Sequence, residues 1–148
     1  MPTLAMNAPN IAVGAPALEI SMDTSTAQER RLQLIVHPAS GTYSIRVRAL
    51  GARVLASAVD GKTIDVSRYR SSSSEWTLGF VAPPPQGFTL MLTVPADSPL
   101  ELDVIARSLG LPAGLTIAPR PEDTVPIHSG DQTVVHRRFA LAPPSRRG

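Results

Sequence analysis

Apolar and polar residues alternate along most of this chain, and that period-two pattern restricts the possible fold more than any other feature of the sequence. Successive side chains of a β-strand leave opposite faces of the backbone, so strict alternation over about four to eight residues indicates a half-buried strand. The apolar positions of the six clearest segments are Leu18, Ile20 and Met22; Leu32, Leu34 and Val36; Tyr43, Ile45 and Val47; Trp76, Leu78 and Phe80; Phe88, Leu90, Leu92 and Val94; and Leu100, Leu102 and Val104. Between residues 17 and 141 the sequence shows no convincing helical stripe.

Short turns rich in glycine and proline separate these segments. Asp60-Gly61 predicts a two-residue β-hairpin, because a type I′ turn needs a positive φ at both central residues. This turn joins a fourth strand predicted at 52–59 to a short fifth strand predicted from Thr63 to Val66.

The alternation stops before the last predicted strand. Prolines and glycines interrupt it from Ala106 to Asp131, which predicts a long crossing, and a final strand follows around Thr133, Val135 and Phe139. The resulting eight or nine short strands predict an all-β fold, namely an antiparallel β-sandwich, with a barrel-like arrangement as the alternative.

The length and composition fit one globular domain. The 148 residues are 43% hydrophobic and 18% charged, which allows a sizeable core. We expect residues 1–16 to form a flexible lead-in, residues 17–141 a single sandwich domain, and residues 142–148 a tail. Residues 1–16 lack the features of a signal peptide. No apolar run reaches the roughly 18 residues of a membrane span, so no direct membrane insertion is expected.

The charge balance argues against nucleic acid as a partner. The 14 basic and 12 acidic residues leave a net charge of only +2, without a concentrated basic region. Several arginines would form a patch if their strands adjoin, but we interpret them as outward strand positions, some of which hinder edge-to-edge pairing. They are Arg30-Arg31, Arg46, Arg48, Arg68, Arg70 and Arg137-Arg138. Arg46, Arg48 and Arg137, with Tyr69 in a polar loop, form the candidate interaction surface.

No residue pattern in the sequence indicates catalysis or metal binding. The chain has no cysteine, which removes thiolate nucleophiles and thiolate metal ligands, and it has no phosphate-binding glycine motif. The histidines, His37, His128 and His136, lack the spacing of a metal site on one strand or helix. His128, Ser129 and Asp131 include the residue types of a catalytic triad, but neighbours in one loop cannot easily point at one another.

Carboxylates and the single tryptophan are interpreted as structural residues. Glu101 and Asp103 share one predicted strand face, and so do Glu19, Ser21 and Asp23. Both sets lie on the polar phase, so we expect solvent-exposed carboxylates. An acid–base pair would need two carboxyl groups facing each other across a cleft. Trp76 falls on the apolar phase, and we expect it in the core rather than on a sugar-binding surface.

The region between Glu75 and Leu141 contains short segments in a characteristic order. They are Trp76-Thr77-Leu78, Ala82-Pro83-Pro84-Pro85-Gln86-Gly87, Leu90 with Leu92, Pro99-Leu100-Glu101-Leu102, Arg107-Ser108-Leu109-Gly110-Leu111-Pro112, Arg120-Pro121 and Thr133-Val134-Val135-His136-Arg137-Arg138-Phe139. This order resembles the C-terminal, membrane-distal β domain of bacterial multi-pass peptidases related to vacuolar membrane protease, in the zinc aminopeptidase family that includes aminopeptidase Y. The resemblance covers a little under half of the chain, and none of the family's zinc-binding motifs lies in it.

The resemblance implies a non-catalytic accessory domain of a membrane-bound, zinc-dependent exopeptidase. Its partner would be the remainder of the parent peptidase or another protein, and its contacts would affect stability, orientation or substrate access. This chain would hold no cofactor, because zinc would be bound only in the parent's peptidase domain. The domain would lie on the extracytoplasmic side of a bacterial membrane and would be soluble when isolated. The alternatives are a free-standing carbohydrate- or ligand-binding module and a structural subunit.

These interpretations predict that the isolated protein lacks the peptidase's metal and activity. Purified protein should bind no stoichiometric zinc and should hydrolyse no aminoacyl substrate. Elemental analysis after dialysis and a chromogenic aminoacyl assay check this expectation. A reproducible activity that is lost on substitution of particular residues of this chain would contradict it.

Overall fold

The computed structural model describes residues 9–65, 75–115, 117, 121–123 and 130–143. These residues form nine β-strands and no helix. The strands are β1 (Ala17–Ser25), β2 (Glu29–His37), β3 (Thr42–Leu50), β4 (Ala56–Val59), β5 (Lys62–Ile64), β6 (Trp76–Val81), β7 (Phe88–Pro95), β8 (Leu100–Leu109) and β9 (Gln132–Leu141).

The strands assemble into two antiparallel sheets. The five-stranded sheet has the order β1-β2-β7-β4-β5, and the four-stranded sheet has the order β6-β3-β8-β9. Among the described strands, β1 and β5 form the edges of one sheet and β6 and β9 those of the other, so neither sheet closes on itself. The predicted all-β sandwich is therefore confirmed, and the barrel-like alternative is wrong.

The core lies between the two sheets and is built mainly from aliphatic side chains at alternate strand positions. Its most deeply buried members are Leu32, Leu34, Val36, Ile45, Val47, Leu90, Leu92, Val94, Leu102 and Val104. Each such side chain contributes about 1.5–3 kcal/mol when it is withdrawn from water. The rings of Phe80 and Phe88 stack with their centroids 4.7 Å apart, and this contact joins the two sheets.

Trp76 lies in the core, as its phase in β6 predicts. Its side chain is 8% exposed, and its indole Nε1 donates a hydrogen bond to Ser57 Oγ in β4 at 3.2 Å. Ser57 is itself buried on the facing sheet. The bond satisfies both polar groups and fixes the position of β6 relative to β4.

The Asp60-Gly61 hairpin is confirmed. Both residues have a positive φ, 47° and 76°, and Val59 pairs with Lys62 across the turn. The flanking strands are shorter than predicted, since β4 spans Ala56–Val59 rather than 52–59 and β5 ends at Ile64. Val66, the predicted end of the fifth strand, lies outside the described residues.

The region from Ala106 to Asp131 differs from its prediction. β8 continues through Ala106 to Leu109, and β9 pairs with β8 along its whole length. The Gly110 amide donates to the Asp131 carbonyl at 2.8 Å, which closes the base of the connection. The connection therefore joins neighbouring strands of one sheet and is not a crossing.

A β-bulge in β1 overturns the predicted alternation there. The partner of Ile20 is Leu34, whereas Met22 pairs with Gln33, so that Ser21 is the additional residue. A one-residue insertion moves every later side chain to the opposite face. Asp23 consequently lies on the inner face instead of the polar face that it was predicted to share with Glu19.

Arg30 uses that inward carboxylate. Its side chain is fully buried, although the sequence predicted an outward position. The guanidinium donates to Asp23 through Nε and Nη2, at 2.9 and 2.7 Å. Nη1 donates to the Leu141 carbonyl at 2.9 Å, and Nη2 donates to the Ala142 carbonyl at 2.7 Å. Arg30 therefore connects β1 and β2 of one sheet to the end of β9 in the other.

We expect the Arg30→Ala variant to lose about 3 kcal/mol of unfolding free energy, because the half-buried Asp23 carboxylate and two carbonyls lose their donor. Arg31→Ala is the matched control. The Arg31 side chain is 65% exposed and pairs with Glu29 at 3.4 Å, so its removal should cost less than about 1 kcal/mol. Denaturant unfolding measures both variants. Equal losses for the two would contradict this account of Arg30.

Candidate functional site

The outer face of the four-stranded sheet carries the largest arrangement of charged side chains among the described residues. Antiparallel pairing sets outward residues in rows across β6, β3, β8 and β9. The rows are Thr77–Arg48–Asp103–Arg138, Gly79–Arg46–Ile105–His136 and Val81–Ser44–Arg107–Val134. The inward residues of the same strands contribute to the core, so the rigid sandwich fixes the position of this face.

Asp103 lies at the centre of the charged rows. Although it points outward, its side chain is only 2% exposed, because the basic side chains of neighbouring strands cover it. Arg48 Nη1 lies 3.5 Å from Oδ2, Arg138 Nε lies 3.7 Å from Oδ1, and His136 Nε2 contacts Oδ1 directly. The prediction that Asp103 is solvated is therefore wrong.

Each of the two arginines also pairs with a second carboxylate. Arg48 donates to Glu75 at 3.0 Å, and Arg138 lies 3.6 Å from Glu101. A carboxylate withdrawn from water is stable only when nearby cations and donors compensate it. The network therefore places Arg48 and Arg138 beside carboxylates that balance most of their charge.

Two further arginines on this face are not compensated. Among the described residues, which include every Asp and Glu of the chain, none forms an ion pair with Arg46 or Arg107. Arg46 is exposed and Arg107 is half-buried. This end of the face therefore carries excess positive charge.

Apolar side chains lie beside those two arginines. Val81 is 77% exposed and Val134 is 54% exposed, and both belong to the row that contains Arg107. Leu109, two positions beyond Arg107 in β8, is 70% exposed. Protein interfaces are enriched in arginine and have apolar centres, and this part of the face offers both kinds of group.

The structure brings together only part of the predicted interaction surface. Arg46 and Arg48 lie on the outer face of the four-stranded sheet. Arg137 shares the register position of inward-facing Val104, at the edge of the sandwich. Its guanidinium lies over the Phe139 ring at 5.1 Å and donates to the Pro16 carbonyl at 3.3 Å. Tyr69 lies outside the described residues.

Four residues of this face are not among those predicted for the interaction surface. Asp103, Arg107, His136 and Arg138 come from β8 and β9, which are far from Arg46 and Arg48 in the sequence. The only sequence signal was their common outward phase, which does not identify neighbouring strands. The pairing of β3 with β8 supplies the missing relation.

Among the described residues, no group of three or more His, Asp and Glu side chains is arranged to hold a metal ion. His136 contacts Asp103, and His37 lies 3.6 Å from Glu19. His128 and Ser129 lie outside the described part of the chain. Within that part there is also no helix with the length and apolarity needed to cross a membrane.

A separate open cleft of about 490 Å³ lies at the end of the four-stranded sheet. Its walls are largely apolar and include Leu50, Pro99, Leu100, Leu141 and Pro143, with Glu101 as the charged residue. The volume falls in the range of small-molecule sites, which is roughly 300–1,000 Å³. Glu101 links this cleft to the network around Asp103.

The fold and surface define the class of protein as a two-sheet, antiparallel β-sandwich. No protein-family model, curated protein or solved structure matches the chain significantly.

Asp103 should contribute to stability more than its outward position suggests. We expect Asp103→Asn to lower the unfolding free energy by about 1.5–3 kcal/mol, because three basic side chains lose the charge that they share. The control Glu101→Gln, at a site that is 37% exposed, should cost less than about 1 kcal/mol. Denaturant unfolding of both variants tests the difference. A loss for Asp103→Asn no larger than that of the control would contradict it.

Proposed function

We propose that this chain is a non-catalytic accessory β-sandwich that acts through protein contacts, and that its contact surface is the outer face of the four-stranded sheet. The observation that carries the proposal is the combination, on one face of the sheet, of two arginines without an ion pair and exposed valine and leucine side chains. The paired strands already hold the backbone of this face in place, so binding here costs little backbone freedom.

The proposed parent is a membrane-bound, zinc-dependent exopeptidase, with this chain on the extracytoplasmic side. Support for the peptidase parent comes from the sequence between Glu75 and Leu141, whose order of short segments resembles the C-terminal β domain of such peptidases. In that setting the domain would stabilise or orient the peptidase or control access of its substrates. Zinc and the reacting groups would belong to the parent's peptidase domain.

The natural open reading frame that encodes this chain tests the peptidase assignment. Membrane spans and a set of zinc-ligand motifs upstream would support it. A separate gene without them would overturn it.

The contact surface is tested in the natural polypeptide by combining Val81→Asp with Val134→Asp. We expect this variant to weaken the contact with the neighbouring portion at least about tenfold, because both changes place charge in a desolvated interface. Cross-linking yield and limited proteolysis measure the contact. Met91→Asp is the control, since Met91 is 37% exposed on the outer face of the other sheet. An unchanged contact in the double variant would contradict the proposal.

The second candidate is a free-standing ligand-binding module, which the cleft beside Glu101 favours. Saturable binding of a small molecule or glycan that is lost in Ala140→Arg, at an exposed residue that lines the cleft, and retained in the double valine variant would support this candidate. The buried Trp76 is not available as a stacking platform, so its fluorescence should resist quenching by acrylamide.

A further inference from the structure

We propose that the outer face of the four-stranded sheet binds an acidic segment of a partner protein in extended conformation. The segment lies along the row Val81–Ser44–Arg107–Val134 and so runs across the four strands. Its apolar side chains lie at the two ends of the row, and a carboxylate lies between them. This inference rests on the proposed function and names the chemistry of the partner that the same surface recognises.

The central carboxylate follows from the uncompensated charge. Arg46 is paired with Ile105 and Arg107 with Ser44, so the two arginines are diagonal neighbours on adjacent strands. Diagonal neighbours lie roughly 7–8 Å apart, within reach of long side chains. Like charges at this spacing repel each other, and a carboxylate between them would remove the repulsion and accept hydrogen bonds from both guanidinium groups.

The apolar ends follow from the spacing of the strands. Val81 and Val134 lie at opposite ends of one row, on the edge strands β6 and β9. Three interstrand steps of about 4.8 Å place them roughly 14 Å apart. In an extended peptide the side chains at i, i+2 and i+4 point to one side and span about 13–14 Å. An apolar–x–acidic–x–apolar segment therefore matches the row in length and in chemistry.

Gly79 provides an independent observation. It occupies the interior of β6 next to Arg46 and two residues before Val81. Its φ lies outside the left-handed region, and a Cβ built on it would meet no atom within 4 Å. Glycine weakens the interior of a strand, and neither the backbone geometry nor crowding by other atoms explains why a glycine occurs at position 79. An exposed strand glycine is suited to close approach by another backbone, and this one leaves open the space beside Arg46.

The test is a binding titration with a defined probe, the blocked pentapeptide Leu-Ser-Glu-Ser-Leu, followed by backbone NMR of the intact chain. We expect saturable amide shifts centred on Arg46, Gly79 and Arg107 that weaken as salt is added. The combined variant Arg46→Glu, Arg107→Glu should weaken binding at least about tenfold. Arg31→Glu, on the outer face of the other sheet, should leave it unchanged.

Gly79→Thr separates binding from folding. A β-branched residue favours the strand, so the melting temperature of the variant should stay the same or rise. The added side chain also fills the space beside Arg46, so binding of the peptide should fall at least about fivefold. The control probe Leu-Ser-Lys-Ser-Leu should not bind. Four results would overturn the inference. The lysine probe could bind as well as the glutamate probe, or the amide shifts could lie elsewhere on the protein. The Gly79→Thr variant could bind the peptide normally, or the protein could bind phosphatidylglycerol vesicles and not the peptide.

The natural polypeptide distinguishes failure of this inference from failure of the proposed function. If Val81→Asp with Val134→Asp weakens the contact but Arg46→Glu with Arg107→Glu does not, the proposed contact surface is supported and the proposed acidic segment is wrong. If neither pair has an effect, both proposals fail. Loss of contact in both variants supports both.

Discussion

The enclosed Arg30–Asp23 pair is the interaction on which the arrangement of the two sheets depends. A buried guanidinium requires a carboxylate and further acceptors, and here the acceptors are the carbonyls of Leu141 and Ala142 at the end of the facing sheet. The requirement is directional, unlike the aliphatic packing around it. It therefore links the end of β9 to β1 and β2, and the bulge in β1 places Asp23 where it can accept from Arg30.

The outer face of the four-stranded sheet holds a buried anion, whereas Arg30 is a buried cation. Asp103 is covered by three basic side chains from the two neighbouring strands β3 and β9, so its charge is balanced by residues that remain partly in water. That balance divides the face into two halves. One half is a closed network of ion pairs, and the other retains the charge of Arg46 and Arg107 beside apolar side chains. The first half gives the surface rigidity, and the second leaves it able to bind.

Much of the fold could be predicted from the sequence because its determinants are local. Strand phase follows from alternation, and the Asp60-Gly61 turn follows from the φ values that type I′ geometry requires. The β1 bulge was missed because one extra residue reverses the phase without changing the apparent pattern of Leu18, Ile20 and Met22. The burial of Asp103 was missed because it depends on which strands are neighbours, and alternation carries no information about strand order.

The strand order also constrains how the chain reaches its fold. Among the described strands, only β1–β2, β4–β5 and β8–β9 are pairs of consecutive strands, whereas β2–β7, β3–β6, β3–β8 and β4–β7 join strands that are not consecutive in the sequence. Each such pairing requires closure of a long loop, and the entropic cost of this closure comes before the strand contacts that offset it. The hairpins β1–β2 and β4–β5, whose connections are short, can therefore form early, but β3 and β7, in the interiors of the two sheets, find their partners late. Until then their apolar faces are open to other chains, so slow folding and a dependence on protein concentration during refolding follow from this topology.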